Sequence, residues 1–269
     1  MKDKKFIGMM VLDVSVDTNP RKIIHLIQTV ASVFDNTRVI DLIKSVQHDV
    51  DDLVPDNILG GLCLLASDSP AGELFVPAKN SSVLSWLSGT VVNEQEVHNI
   101  FSKTPTDQDN MPDIMPGKLM LRLNSDHHAP AEFPNYAHRV KARFTDFMRG
   151  KWSSMAVFSG GNRSTVVIAK RGKDMYFSFV HIDQCSLLFW STEPDFLMRL
   201  FEAIPNDIEQ SFLKHECFVN HITPLNDKNT LILHPIFLLT KYRGWGERAS
   251  FNHMRLFTVF SSYLERLAT

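Results

Sequence analysis

The sequence predicts an α+β fold in which antiparallel sheets are covered by helices. Three observations carry this. The elements run strand, two helices, many strands, helix, many strands, helix, which is not the strict strand–helix alternation of a doubly wound parallel fold. The strands are short apolar runs punctuated by Gly, Ser, Pro and Asp, the punctuation of hairpins. The balance of 44% hydrophobic and 22% charged residues over 269 positions is that of a globular chain able to bury a substantial core.

Taken in order, Ile7–Val14 ("IGMMVLDV") reads as a buried strand. Asn19-Pro20 opens a helix, with Asn19 as cap, Pro20 in the first helical position, and Ile23, Ile24, Ile27, Val30, Ala31 and Phe34 as one stripe. A second helix is expected around Val39, Ile40, Leu42, Ile43 and Val46, ending in "DVDD". "NILGGLCLLAS", "ELFVPA" and "VLSWLSGTVV" read as strands, and "NEQEVHNIFSK" as a helix capped by Asn93, with Glu96 completing a capping box. Residues 104–117 are expected to be a loop, "KLMLRLN" a strand, and 124–135 another loop. Residues 136–149 read as a basic amphipathic helix with Val140, Phe144 and Phe147 on its apolar side. "SSMAVFS", "STVVIAK", "MYFSFVHI" and "SLLFWS" are strands, the first three joined by tight turns at "GGNR" and "RGKD". Thr192 is expected to cap the helix "EPDFLMRLFEAI". "ECFVNHITPL" and "TLILHP" are two more strands, and the loop "KYRGWGERAS" leads to a last amphipathic helix ending near Leu267.

A formal net charge of −2 argues against nucleic-acid binding driven by bulk charge. "IGMMVLDVSVD" is too short and too soon acidic for a signal peptide, and no stretch approaches the roughly 20 apolar residues that span a bilayer. Cys63, Cys185 and Cys217 are too widely spaced for a zinc knuckle and odd in number for a disulfide framework, which points to a cytoplasmic, reducing setting. Asp126, His127 and His128 share one loop, but adjacent residues of an extended segment point to opposite sides, so a polar loop without metal is expected there.

One set of segments carries more. "KWSSMAVFSGGNRSTVVIAKRGKDMYFSFVHIDQCSLLFWSTEPDFLMRLFE" resembles the second half of class II glutamine amidotransferase domains. In that family a strand with an Ala-Arg…Gly corner is followed by a strand ending Leu-(Phe/Ala)-Ser-(Glu/Asp) and a helix. The matching pieces here are Met155–Phe158, Ala169-Lys170-Arg171-Gly172, and Leu188-Phe189-Trp190-Ser191 with Glu193. Upstream, Trp86–Val97 is similar to the family's "HNG…N" strand and turn, with Gly89 and Asn93 in place, and Phe6–Leu12 to its opening "CGI" strand, with Gly8 matching. The resemblance spans residues 6–200 and implies an N-terminal-nucleophile-hydrolase-like αββα sandwich, two stacked antiparallel sheets between helical layers. It implies a single domain over 1–269, with 205–269 as a C-terminal extension packed on it.

The departures bear on chemistry. The family attacks a glutamine amide with an N-terminal cysteine whose own amine is the base, and the position before Gly8 is Ile7, with six residues ahead of it. The family's oxyanion-stabilising Asn corresponds to Ser88, and its carboxylate-holding arginine falls near "LCLLASDSPAG", which has none. The expectation is a catalytically degenerate member that uses no cofactor and acts as a binding, scaffold or regulatory module. Gly8, Ser88, Gly89 and Asn93 then form a vestigial pocket. An active amidotransferase or amidohydrolase with another cysteine as nucleophile is the alternative, with Cys63 as a buried structural thiol on the ordinary reading. A third reading is association with nucleic acid through the basic helix 138–151. A protein partner is expected at Arg243, Trp245, Arg248 and Arg255, because Trp and Arg are frequent interface anchors.

Overall fold

In the computed structural model the opening apolar run forms β1 (Phe6–Asp13), and the strict alternation of its side chains sets the layers. Phe6 and Met10 point to one side, where they pack with Trp86, Met155 and Trp190. Ile7, Met9 and Val11 point to the other, against Ile23 and Ile27 of α1 (Pro20–Ala31) and Leu197 and Leu200 of α4 (Pro194–Ala203). A strand buried on both faces must be apolar throughout, which is why this run carries no polar alternation. The structure describes residues 3–13, 19–44, 46–58, 60–76, 81–101, 113–125, 142–159, 164–182, 185–203, 222–225, 230–233 and 258–259.

The strands β2 (Asn36–Asp41), β3 (Val46–His48), β4 (Leu62–Ser67), β9 (Tyr176–Ile182), β10 (Cys185–Ser191) and β11 (Thr223–Pro224) join β1 in a seven-stranded sheet of order β11-β9-β10-β1-β4-β2-β3. A six-stranded sheet, β13-β12-β8-β7-β6-β5, is built from β5 (Gly72–Val76), β6 (Ser81–Val91), β7 (Gly150–Ser159), β8 (Thr165–Arg171), β12 (Thr230–Leu233) and β13 (Thr258–Val259). Among the described residues every strand ladder in both sheets is antiparallel. α1 and α4 cover the first sheet, and α3 (Ile114–Ser125) lies across β5, β6 and β7 of the second, with α2 (Glu94–Phe101) beside it. The result is the α+β, helix–sheet–sheet–helix sandwich that the sequence predicts. No helix among the described residues is long and apolar enough to cross a membrane.

Several elements differ from expectation. The second expected helix is the hairpin β2–β3. Asp41 makes its turn, with Oδ1 accepting from the N–H groups of Ile43 and Lys44, both at 2.9 Å. A local side-chain bond of this kind competes with helix propagation. Conversely, "KLMLRLN" is part of α3, and residues 113–120 are all buried. A helix covered on every side shows no amphipathic period, so its chance alternation mimicked a strand. α3 also absorbs residues 114–117 of the expected loop. The basic helix 138–151 is not one helix: Ala142–Phe147 is a π-helical turn and β7 starts at Gly150. Thr192 does not cap α4, since its Oγ1 accepts from Phe6 N–H at 3.1 Å and fastens β1 instead. Thr258–Val259, expected within the last helix, pair with β12.

The "RGKD" turn is the most consequential difference. β8 belongs to the six-stranded sheet and β9 to the seven-stranded one, so this is no hairpin. Gly172, at φ +65°, carries the chain from one sheet to the other and sets Lys173 at the rim between them.

Candidate functional site

Residues distant in sequence face one another between the two sheets. On β1, Ile7 faces the helices and is buried there, while Gly8 faces the second sheet. The space above Gly8 is filled: a Cβ at Gly8 would collide with the indole ring of Trp190, its register partner on β10. Trp190 Nε1 in turn donates to Met155 Sδ across the sandwich at 2.7 Å.

On the facing sheet, Ser88, Ser153 and Lys170 are register partners on β6, β7 and β8. They share the face that carries Trp86, Met155 and Ile168 two residues away, so their side chains also point between the sheets. Ser88 and Ser153 are fully buried and Lys170 is 8% exposed. Lys173 Nζ, reaching back from the corner, donates to Ser88 Oγ at 2.8 Å and is ion-paired to Asp3 at the chain's start. The hydrogen bond from Lys173, and then its charge, hold the Asp3 carboxyl below its ordinary value. A lysine beside a serine hydroxyl activates it only when the amine is neutral and free to take a proton. Here the ammonium serves Asp3 and Ser88 together.

The remaining members of the expected pocket do scaffold work. Gly89 has φ +102°, and a Cβ there would strike the Lys151 carbonyl, so the strand crossing demands glycine. Asn93 is committed on both ends of its amide: Nδ2 donates to Phe147 O at 3.0 Å and Glu96 Oε2 at 3.1 Å, and Oδ1 accepts from Arg149 N–H at 2.8 Å. The expected contact with Glu96 exists, but the side chain clamps α2 to the start of β7 rather than closing a capping box. Thus Gly8 lies against Trp190, Ser88 is engaged by Lys173, and Gly89 and Asn93 hold strand and helix in place.

The thiols lie elsewhere. Cys63 faces the inter-sheet core between Met10 and Ile40, fully buried, and burial pushes its pKa far up. Cys185 packs on the opposite face of that sheet, with α1 and α4. Cys217, the loop at Asp126–His128, and Arg243, Trp245, Arg248 and Arg255 lie outside the described residues. Among the described residues no group of three or more His, Cys, Asp or Glu is placed to hold a metal ion.

Sequence reasoning missed Asp3, Ser153, Trp190 and the two lysines as parts of one place. The signal was the pair Lys170 and Lys173 flanking Gly172, which a hairpin reading leaves in solvent.

No protein-family model matches this chain, and no curated protein matches it. Solved structures do resemble it in fold. Glutamine phosphoribosylpyrophosphate amidotransferase from B. subtilis, complexed with ADP and GMP, is 12% identical with a TM-score of 0.45, over 86% of this chain and 47% of that one. A structure described as the allosteric regulatory enzyme of purine biosynthesis is 10% identical, with a TM-score of 0.49, over 86% and 47%. A predicted glutamine amidotransferase from Pseudomonas aeruginosa PA01 is 9% identical, with a TM-score of 0.39, over 87% and 94%. The chain spans about half the length of the first two of these proteins.

Proposed function

We propose that this chain is a catalytically degenerate glutamine-amidotransferase-like protein that works as a cytoplasmic binding, scaffold or regulatory module with a protein partner. The observation that supports this reading is the start of β1. Ile7, which stands where the resemblance calls for the nucleophile, turns its side chain into the helical layer, and the cleft-facing neighbour Gly8 lies beneath Trp190. Nucleophilic attack on an amide needs a thiolate or activated hydroxyl in an accessible position. Cys63 supplies neither, being sealed in the core with its pKa raised by desolvation.

The purified chain incubated with glutamine is expected to release no ammonia above the rate in buffer. Glutamine-dependent ammonia release that disappears in a Cys63→Ala variant would establish the active-enzyme alternative and overturn this reading.

A further inference from the structure

We propose that residues 3–5, the lead into β1, are a strap whose Lys4 ammonium locks the start of α3 onto β6. The charge on Lys4 then controls how tightly the helical cover of the second sheet is held.

β6 outruns its neighbour. β5 pairs with it as far as Gly72 opposite Ser85. Leu87, two residues further along, presents its N–H to the same edge by the alternation of an antiparallel ladder. There Asp113 Oδ1 accepts it at 2.9 Å, in place of a strand. Asp113 immediately precedes α3, and its backbone carbonyl accepts from Ser85 Oγ. Gly72 lies directly against it: a Cβ there would come within 2.8 Å of the Asp113 carbonyl carbon. The first residue before α3 is thus seated on β5 and β6 at once.

That seat buries a carboxylate, since Asp113 is 4% exposed. A carboxylate withdrawn from water is costly unless a counter-charge meets it, and one N–H is not a charge. Lys4 Nζ supplies the charge at Asp113 Oδ2, and it is the one cation paired with Asp113 among the described residues.

The backbone of the strap is fastened independently of that pair. Lys5 N–H donates to Asp68 Oδ1 at 3.0 Å, and Lys5 C=O accepts from Ser67 Oγ at 2.9 Å and Asp68 N–H at 3.1 Å. Phe6 N–H donates to Thr192 Oγ1 at 3.1 Å. These bonds hold the segment to the end of β4 and the approach to α4, whether or not Lys4 is charged. From that footing the Lys4 side chain crosses to α3, and at 21% exposure solvent reaches it. With the ammonium gone, the Asp113 carboxylate regains a stable setting by turning out to water. That motion gives up the Leu87 N–H and lifts the start of α3 from β6. Any event that takes the ammonium away, competition from an acidic protein surface included, is thereby transmitted to the far layer.

The test is amide hydrogen exchange on the full chain, comparing segments 83–91 and 114–121 with 62–66 of β4. Lys4→Met keeps the apolar stem and removes the charge. It is expected to speed exchange in the first two segments roughly tenfold or more, the effect of leaving a buried carboxylate without a partly exposed counter-charge, while 62–66 stays unchanged. Lys4→Arg is expected to exchange like the wild type. Adding Asp113→Asn to Lys4→Met is expected to restore slow exchange, because a neutral amide needs no counter-charge and its oxygen still accepts from Leu87 N–H. If Lys4→Met does not fold, the same double variant is expected to fold. Exchange unchanged by Lys4→Met, a rise that includes 62–66, or a double variant no slower than Lys4→Met or equally unable to fold would each overturn the proposal. The readout is independent of glutaminase activity, so it stands or falls apart from the noncatalytic reading.

Discussion

Gly8 and Trp190 are register partners on neighbouring strands, and the indole lies folded over the glycine. This contact exists because position 8 has no Cβ. The ring can then turn inward, bury completely, and reach Met155 on the other sheet. Gly8→Ala puts a methyl group into the ring, which has no empty volume to retreat to in a close-packed interior. The expected cost is ~1–3 kcal/mol, the usual penalty for overpacking, read as a fall in the urea midpoint at unchanged slope. The same substitution in a Trp190→Leu background should cost less, because the clash partner is gone, and the difference is the coupling of the pair. Equal costs in both backgrounds would mean that the glycine is required for some other reason.

At the scale of elements, what was legible in the sequence depended on whether local and tertiary signals agreed. α1 was legible: Asn19 accepts from Arg21 N–H at 3.1 Å, Pro20 opens the helix, and Ile23, Ile27 and Val30 are buried as the period requires, joined by Leu26. β2 was not, because six residues with apolar positions at its end fit a helical and an extended template alike, and only the Asp41 turn decides. The β8–β9 corner was misjudged for a different reason. Antiparallel neighbours in sequence ordinarily pair, and which sheet a strand joins is written in its packing rather than in its turn residues. That misjudgement concealed Lys173, and with it the cleft end. Asn93 was found at the right place with the wrong role. It joins α2 to the chain entering β7 through three hydrogen bonds. Asn93→Ala leaves the Arg149 N–H and the Phe147 carbonyl without that partner, and is expected to cost roughly 1–3 kcal/mol by chemical denaturation. A variant as stable as the parent would show that water replaces the clamp.

The whole molecule is tied together by contacts between residues far apart in the chain. β1 pairs with no strand next to it in sequence: it lies between β4, Phe6 opposite Ser67, and β10, Ile7 opposite Ser191. The inter-sheet core joins side chains from both sheets into one cluster, and β8 passes directly into β9 across Gly172. Each sheet keeps its own helices on one face, but its other face loses its cover once the partner sheet has gone. The expected consequence is that the layers unfold together. Far-UV circular dichroism follows the strands and helices, while Trp86, Trp152 and Trp190, all buried, follow the packing. In a Trp245→Phe background the two signals should give one urea midpoint, and Gly8→Ala should lower both by the same amount. Because β1–β10, β6–β7 and β8–β12 must each close a long loop before they pair, refolding should be slow, on the order of milliseconds to seconds. Two separated midpoints would instead mean that each sheet, with its own helices, is stable alone, and the corner at Gly172 would then be a tether between two units rather than part of one core.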